Sequence, residues 1–398
     1  MISVTEALSL IKENVSPLKP VRLPLKETGE LVLAEDIRAR IDIPAFRQSS
    51  MDGYAFSFEG WQDGKKLKIN GEVPAGASNG FVIEPQQAVR IFTGAAVPDG
   101  ADTVVKQEMV EISEDLLIIR DNSISRGDNV RAVGSEIKTG EIALKKNKKL
   151  SPPSIGFLAG IGVHEVLVHP KPSVSLIVTG NELQVPGQSL KKGQVYESTS
   201  FSIKAVLEQL YIREFRYVAV KDDPEKLKIQ LNKALAESDL VMLAGGVSVG
   251  DYDYVPEALS SCGVSTIFHK VKQRPGKPLF FGKTDKTIVF GLPGNPASVL
   301  TCFYEYVLQA IEIMTNEKDT IKNTEAVLSV DFTKNPELTY FLKGSLDGNQ
   351  VTPLGAQESY RMRSFADANC LIRLDEGKSE FKRGENVDVQ VFLNNLLR

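Results

Sequence analysis

The most informative segment of the chain is Leu240–Tyr254, with the sequence LVMLAGGVSVGDYDY. An apolar run of strand length breaks into glycines, passes through small residues and ends among carboxylates. Glycines after a strand let backbone N–H groups approach an anion closely, as phosphate-binding loops do. The candidate ligand-binding residues of this segment are Gly245, Gly246, Ser248 and Gly250, followed by Asp251 and Asp253.

This segment departs from two common phosphate-binding patterns. A Walker A loop would follow its last glycine with Lys and then Ser or Thr, whereas Asp251 and Asp253 follow Gly250. The dinucleotide pattern G-x-G-x-x-G fails because Val247 stands where its second glycine belongs. Carboxylates in these positions are suited to hold a cation rather than phosphate. The segment therefore predicts a phosphate-like ligand bound together with magnesium.

Three further polar loops follow apolar runs of strand length. They are TGNEL (Thr179–Leu183), KDD (Lys221–Asp223) and GLPGNP (Gly291–Pro296). Ligands of open α/β sheets bind just outside the carboxyl ends of parallel strands. Together with the opening segment, these loops predict one ligand-binding edge of a sheet. Their candidate site residues are Glu182, Asp222, Pro293, Gly294, Asn295 and Pro296.

The polar residues of these loops have structural as well as functional interpretations. Asp223 is explained as the N-cap of a following helix, which leaves Asp222 as the functional candidate. Glu182 could be a metal ligand, a base or a solvated acid. Asn295 is suited to cap a helix that starts at Pro296, and the N–H groups of such a helix start attract anions.

A basic turn, RPGKP, spans Arg274–Pro278. Prolines on both sides of the turn would reduce the entropy of holding Arg274 and Lys277 toward a phosphate. An ordinary basic turn explains this segment equally well, so its function depends on the other loops.

The elements that must position these loops follow from hydrophobic periodicity. Apolar strand-length runs alternate with helical segments in the middle of the chain, which predicts βαβ units and a parallel sheet. The expected strands are Val174–Val178, Phe215–Val220, Leu240–Leu243 and Thr287–Phe290, and the expected helices are Phe201–Leu210, Pro224–Ala236 and Pro296–Ile311. Short alternating strands follow in the tail, at Ala326–Phe332, Thr339–Leu346, Cys370–Leu374 and Asn386–Phe392.

Composition narrows the class of protein. The 398 residues predict two to four domains, and 42% hydrophobic with 25% charged residues is a globular composition. A net charge of -4 argues against nucleic-acid binding. The three separated cysteines predict a reducing compartment rather than a disulfide framework or zinc site. Without an apolar run near 20 residues we expect a cytoplasmic protein with no membrane partner.

A β-rich stretch before the α/β region carries further motifs. SSMDGYAF, FTGA and RGDNVRAVGSE read most simply as turns. If they are functional, they must reach the ligand-binding edge from another domain or another subunit.

The ordered set of motifs resembles molybdopterin molybdotransferases, a family that includes the C-terminal domain of gephyrin. The motifs are SSMDGYA, RIFTGAAVP, GDNVRAVGSE, TGNEL, GQVYEST, GGVSVGDYDY, RPGKP and LPGNPAS. The resemblance runs the length of the chain and implies an α/β multidomain fold. Its expected parts are an N-terminal helical/extended subdomain (1–40 with 135–170), a β-rich insert domain (41–134), a central three-layer α/β molybdopterin-binding domain (171–322) and a small C-terminal β-barrel (323–398).

The resemblance also implies an activity. Family members insert molybdate into adenylylated molybdopterin, with Mg²⁺-dependent hydrolysis of the adenylyl anhydride and release of AMP. They resemble elongated homodimers whose active cleft lies between the α/β domain of one subunit and the β insert of the other. By motif match, the implied site residues are Asp52, Thr93, Asp128, Arg131, Glu182, Asp222, Asp253, Arg274, Lys277, Pro293 and Pro296.

The sequence departs from the family pattern at several of these motifs. Asn181, Glu197 and Glu136 stand where the family usually has Asp, while Thr199 replaces Asn and Arg274 replaces Lys. These departures bear on fine substrate preference more than on the reaction.

Two alternative functions are a molybdopterin adenylyltransferase and a non-enzymatic scaffold of the gephyrin type. The β insert and the C-terminal β domain argue against the adenylyltransferase, which lacks them. Expected partners are the adenylyltransferase and the apoenzymes that receive the cofactor.

Overall fold

The computed structural model describes residues 1–61, 65–77, 81–245, 255–318 and 320–393. Gly246, Ser248, Gly250, Asp251 and Asp253 lie outside the described residues. The chain divides into a first unit, residues 1–22, 30–34 and 167–398, and a second unit, residues 23–29 and 35–166. Helices are α1 (Val4–Asn14), α2 (Pro152–Gly160), α3 (Thr199–Gln209), α4 (Pro224–Glu237), α5 (Val255–Ser261), α6 (Pro296–Cys302), α7 (Leu308–Met314) and α8 (Met362–Ala366).

The second unit is built on a β-sheet, as the sequence predicts. Strands of the first half of the chain are β1 (Val21–Pro24), β2 (Val32–Leu33), β3 (Ile37–Arg38), β4 (Gln48–Ser49), β5 (Gly53–Phe56), β6 (Leu67–Val73), β7 (Gln87–Ile91), β8 (Thr103–Lys106), β9 (Val110–Ser113), β10 (Leu116–Ile119), β11 (Val130–Arg131) and β12 (Ile142–Leu144). The described residues form a sheet in the order β8-β5-β7-β6-β10-β9. Successive residues of β5 enter different apolar clusters, Ala55 on one face and Phe56 on the other, so the sheet is covered on both sides.

A mostly parallel sheet forms the centre of the first unit. The strands of this part of the chain are β13 (Glu165–His169), β14 (Val174–Thr179), β15 (Leu183–Gln184), β16 (Val195–Tyr196), β17 (Phe215–Val220), β18 (Leu240–Ala244), β19 (Ser265–His269), β20 (Gln273–Arg274), β21 (Phe280–Lys283) and β22 (Ile288–Leu292). Six of them form the sheet. The order is β17-β14-β18-β22-β21-β19, and the first four strands are parallel. Their carboxyl ends therefore share one edge.

Helices cover both faces of this sheet, which gives the expected three layers. Leu176 packs in one apolar cluster with Leu207 of α3 and Val299 of α6. Its neighbour Ile177 packs in another with Leu231 of α4. All six residues of β14 are buried, as expected for a parallel strand between two helical layers.

The tail closes into a small barrel, confirming that prediction. Its strands are β23 (Lys322–Leu328), β24 (Phe332–Thr333), β25 (Thr339–Asp347), β26 (Gln350–Pro353), β27 (Cys370–Leu374), β28 (Glu380–Phe381) and β29 (Asn386–Val391). The order β25-β26-β23-β29-β27 closes because β27 also pairs with β25. On the other side, β20 pairs in parallel with β25, so the RPGKP turn begins on the barrel wall.

The long helix expected after Pro296 is interrupted. A π-helical segment, Phe303–Val307, separates α6 from α7, and all five of its residues are buried. A π turn has i→i+5 hydrogen bonds and often lies near functional sites. Its side-chain pattern is too close to that of an α-helix for hydrophobic periodicity to distinguish the two.

No helix in the described parts of the chain combines the length and apolar character required to cross a bilayer.

Candidate active site

A cleft of about 1320 Å³ opens at the edge where the parallel strands end. The loops after β14, β17, β18 and β22 meet there, as the topology predicts, and the turn after β20 joins them. The predicted site residues that line this cleft are Glu182, Asp222, Gly245, Arg274, Lys277, Pro293, Gly294, Asn295 and Pro296.

Glycine backbone forms part of the cleft wall where β18 and β22 end. Gly245 has φ +91°, and a Cβ there would lie 2.3 Å from the carbonyl oxygen of Thr179. A Cβ on Gly294 would lie 3.7 Å from the Cα of Gly245, so the two backbones run side by side. Only glycine fits at 245 without displacing β14, and Gly245 lines the cleft.

Thr179, the last residue of β14, is a site residue that the sequence did not single out. It lines the cleft and is only 7% exposed. Its hydroxyl has no hydrogen-bond partner within the part of the chain that the structure describes. A buried hydroxyl without a partner is costly, so Thr179 is a candidate to donate to a ligand oxygen.

Two carboxylates face the cleft from neighbouring loops. Oδ2 of Asp222 accepts a hydrogen bond from the Asn181 N–H at 3.2 Å, and the Asp222 N–H donates to Oδ1 of Asn181 at 3.3 Å. The Glu182 carboxylate folds over Gly180, with both oxygens 2.8 Å from the position of a Cβ there. Asp223, which follows Asp222 in the chain, accepts a hydrogen bond from the Lys226 N–H at 3.1 Å and caps α4, as predicted.

Glu182 and Asp222 offer oxygen ligands of the kind that magnesium uses, rather than the nitrogen and sulfur ligands typical of zinc. Magnesium commonly uses one or two carboxylates and takes its other ligands from water and phosphate. Glu182 and Asp222 supply such a pair, and they line the same cleft.

Opposite charges line the cleft together. Arg274 and Lys277 are the cationic side chains of its described lining, beside the acidic Glu182, Glu197, Asp222 and Glu358. Both basic residues are exposed. The Arg274 guanidinium donates to the Tyr340 hydroxyl at 3.4 Å and lies 5.5 Å from the centre of that ring. The arrangement suits a bound anion with an accompanying cation.

The Asn295 side chain does not cap α6, contrary to the prediction. The residue occupies the N-cap position of α6, but its side chain makes no capping bond. Its Nδ2 instead donates to Oγ of Ser359 at 2.8 Å. The competing partner comes from the barrel, 64 residues away in sequence, and local sequence could not indicate it.

The barrel segment Gln357–Tyr360 and Leu338 line the cleft and were missed by sequence reasoning. Lys343 of β25 holds this segment from inside, since its ammonium donates to the carbonyls of Ala356, Glu358 and Arg361 at 2.8, 3.3 and 3.1 Å. Lys343 is 4% exposed, and this burial lowers its pKa. A lysine inside the apolar run YFLKG was the available signal.

Four predicted residues lie in the second unit, and three of them come together there. Oδ1 of Asp52 accepts from the N–H and Oγ1 of Thr93 at 2.7 and 2.8 Å, and these bonds lower its pKa. Gln48 donates to the carbonyl of Gly94 at 3.1 Å and accepts from Arg131 at 3.1 Å. We call Gln48, Asp52, Thr93 and Arg131 the Asp52 cluster.

Asp128 has a local role instead. Its Oδ2 accepts from the Ser125 N–H at 2.7 Å and closes the turn before β11.

Comparisons with known proteins agree with this architecture. Residues 2–162 match the MoeA N-terminal region (domain I and II), residues 175–313 match a probable molybdopterin binding domain, and residues 325–392 match the MoeA C-terminal region (domain IV).

Named relatives and a solved structure cover almost the whole chain. A molybdopterin molybdenumtransferase of Staphylococcus aureus is 34% identical over 98% of this chain and 95% of its own length. One from Haemophilus influenzae is 33% identical over 100% of both. A crystal structure of the molybdopterin biosynthesis MoeA protein from Pyrococcus horikoshii, 29% identical, matches with a TM-score of 0.81 over 98% of this chain and 99% of that one. At this identity and coverage, the chain belongs to the molybdopterin molybdenumtransferase family.

Proposed function

We propose that this protein inserts molybdate into adenylylated molybdopterin, hydrolysing the adenylyl anhydride and releasing AMP to give molybdenum cofactor. The observation that carries the proposal is the cleft at the sheet edge, where glycines, two cations and two metal-type carboxylates line one site in a chain of this family. The division into four subdomains, with the boundaries expected from the sequence, is part of the proposal.

The substrate chemistry explains the basic and glycine-rich parts of the cleft. Adenylylated molybdopterin carries a diphosphate, whose oxygens would contact the cleft wall that Gly245 and Gly294 form. Arg274 and Lys277 concentrate molybdate, a dianion, beside that substrate. The Thr179 hydroxyl offers a further donor to the bound anion.

The carboxylates supply the acidic part of the chemistry. Glu182 and Asp222 would hold magnesium, which supplies neutralisation of the diphosphate charge and polarisation of the anhydride. Asp251 and Asp253 are proposed as further ligands on sequence grounds. One of these carboxylates, when it is not a ligand of the metal, would orient and deprotonate the water that attacks the anhydride.

The Asp52 cluster takes part through a homodimer in this proposal. Asp52 and Thr93 of one subunit would complete the cleft of the other, with Asp52 in a catalytic role. The proposal for this cluster rests on its polar contacts: Thr93 holds the Asp52 carboxylate with two hydrogen bonds, and Gln48 joins Gly94 to Arg131. Arg131 is proposed as a supporting residue of the same surface, and Asp128 as a residue that shapes the turn before Arg131. A cytoplasmic location and transfer to apoenzymes also stay predictions.

Molybdate-dependent AMP release tests the proposal. Purified protein with adenylylated molybdopterin, molybdate and magnesium should release AMP, and Asp222→Ala and Glu182→Ala should reduce that rate by roughly a hundredfold or more. The neighbouring helix cap Asp223→Ala is the matched control and should retain the rate.

Other results would favour another activity. Consumption of ATP with molybdopterin, independent of molybdate, would indicate the adenylyltransferase. Absence of any molybdate-dependent AMP release would refute the proposed function.

A further inference from the structure

A buried polar network lies directly beneath the RPGKP turn. Gln273 is 1% exposed, and its Nε2 donates to the carbonyl of Gly276 at 3.1 Å. Its Oε1 accepts a hydrogen bond from the hydroxyl of Tyr306, and Nε2 also lies 3.5 Å from Sγ of Cys302. Neither Tyr306 nor Cys302 lines the cleft, and the reaction as proposed uses neither of them.

The RPGKP turn packs against this network so closely that no side chain fits at Gly276. Gly276 has φ +89°, and a Cβ there would lie 2.5 Å from Sγ of Cys302 and 2.7 Å from Nε2 of Gln273. Cys302 and Tyr306 lie on one buried helical run, and both contact the Gln273 side chain. The position of the turn is therefore tied to the Gln273 side chain.

Tyr306 fixes which way the Gln273 amide points. The hydroxyl is buried, and burial raises its pKa well above the ordinary value, so it stays protonated and able to donate. Donation to Oε1 leaves Nε2 facing the Gly276 carbonyl. The reverse orientation would oppose two carbonyl oxygens in a buried site, which is unfavourable.

The two cations of the described cleft lining are the first and fourth residues of this turn. Arg274 follows Gln273 directly, and Lys277 follows Gly276 directly. We propose that Gln273 and Tyr306 are positioning residues that hold Arg274 and Lys277 in the geometry that binds an oxyanion such as molybdate. The inference rests on the proposed function for the identity of the oxyanion.

The primary test compares two tyrosine variants of the same π-helical segment. Tyr306→Phe removes the hydroxyl that orients Gln273 and keeps the ring. Tyr304→Phe is the matched control, because Tyr304 is also buried but stacks on Phe392, 4.5 Å between ring centres. The readouts are calorimetric titration with molybdate alone and the molybdate KM and kcat of AMP release.

We expect Tyr306→Phe to raise the Kd and the KM for molybdate about tenfold, as loss of an orienting hydrogen bond does at metal sites. The kcat at saturating molybdate should stay near that of wild type, and Tyr304→Phe should change neither constant. Equal molybdate affinity in the two variants would overturn the inference, whatever their melting temperatures.

A second comparison separates positioning from general destabilisation. Gln273→Leu should weaken molybdate binding, and adding Tyr306→Phe to it should weaken binding no further, because both changes break the same link. Additive losses would count against the inference. Wild-type protein that binds molybdate without releasing AMP would refute only the proposed function, whereas failure of wild type to bind molybdate would overturn the inference as well.

Discussion

Two aspartates of the second unit make the same local contacts. Oδ1 of Asp42 accepts from the N–H and Oγ1 of Thr139 at 2.7 and 2.8 Å, and Oδ1 of Asp52 accepts from the same atoms of Thr93 at the same distances. The backbone bond and then the side-chain bond lower both pKa values, so both carboxylates are ionised at neutral pH. Variants of the two aspartates therefore distinguish the loss of these hydrogen bonds from the loss of a catalytic carboxylate.

We predict that Asp52→Asn and Asp42→Asn will have different effects on activity. Asp52→Asn should lower AMP release by roughly a hundredfold, the usual contribution of a positioned acid or base. Asp42→Asn alters the same kind of hydrogen bonds to a threonine and should retain the rate. Steady-state assays with thermal melting of both variants provide the measurement. Similar losses of activity in the two would remove Asp52 from the proposed mechanism.

At the scale of elements, the junction of β14 and β18 depends on one glycine. Gly245 and Gly187 have nearly the same backbone angle φ, +91° and +92°. A Cβ on Gly187 meets nothing within 4 Å, whereas one on Gly245 meets the Thr179 carbonyl. Both alanine variants carry the cost of a left-handed residue, about 1 kcal/mol, and only one adds a clash.

Gly245→Ala should therefore lower the free energy of unfolding more than Gly187→Ala does. We expect about 1 kcal/mol for Gly187→Ala and roughly 2–4 kcal/mol for Gly245→Ala, the difference being the overpacking cost. Urea denaturation of the two variants measures this difference in the free energy of unfolding. Equal losses would show that β14 and β18 adjust to the added methyl group.

The π-helical segment carries a buried carboxyl group, Glu305. Burial raises its pKa from 4.5 to about 8, and the charge of Arg373 opposes this only in part. Between those two values the folded chain holds a proton that the unfolded chain has lost. The contribution of Glu305 to stability therefore falls as pH rises through this window, by up to about 1.4 kcal/mol per pH unit.

Glu305→Gln should remove that loss. Urea unfolding at about pH 6 and about pH 8 should show a smaller decrease for this variant than for wild type, because glutamine is neutral at both. Glu257→Gln, a change at an exposed position of α5, serves as control. A decrease that is the same in wild type and Glu305→Gln would mean that Glu305 is already ionised in the folded protein.

The local sequence pattern predicts most helices and strands but not the contacts between them. Phe215–Val220 and Cys370–Leu374 have the predicted bounds because each is an apolar run between clear turn signals. The partner of Asn295, by contrast, is Ser359 of the barrel, and the pairing of β20 with β25 brings that region to the cleft. Contacts between residues so far apart in sequence leave no periodic signal.

At the scale of the whole molecule, the proposed site needs residues from both units. The first unit contains the cleft with Glu182 and Asp222, and the second contains the Asp52 cluster. In the proposed homodimer, each cleft would be completed by the Asp52 cluster of the other subunit. A dimer with two-fold symmetry would then contain two such shared sites.

Mixed dimers test this sharing directly. Asp52→Asn and Glu182→Ala should each be inactive alone, yet subunit exchange between them should restore about a quarter of wild-type activity. The reason is that half of the dimers are mixed, and one of the two sites in each mixed dimer combines an intact cleft with an intact Asp52 cluster. Glu182→Ala mixed with Asp222→Ala should restore nothing, because every cleft carries a substitution. If the first mixture also stays inactive after verified exchange, each site is built from a single subunit.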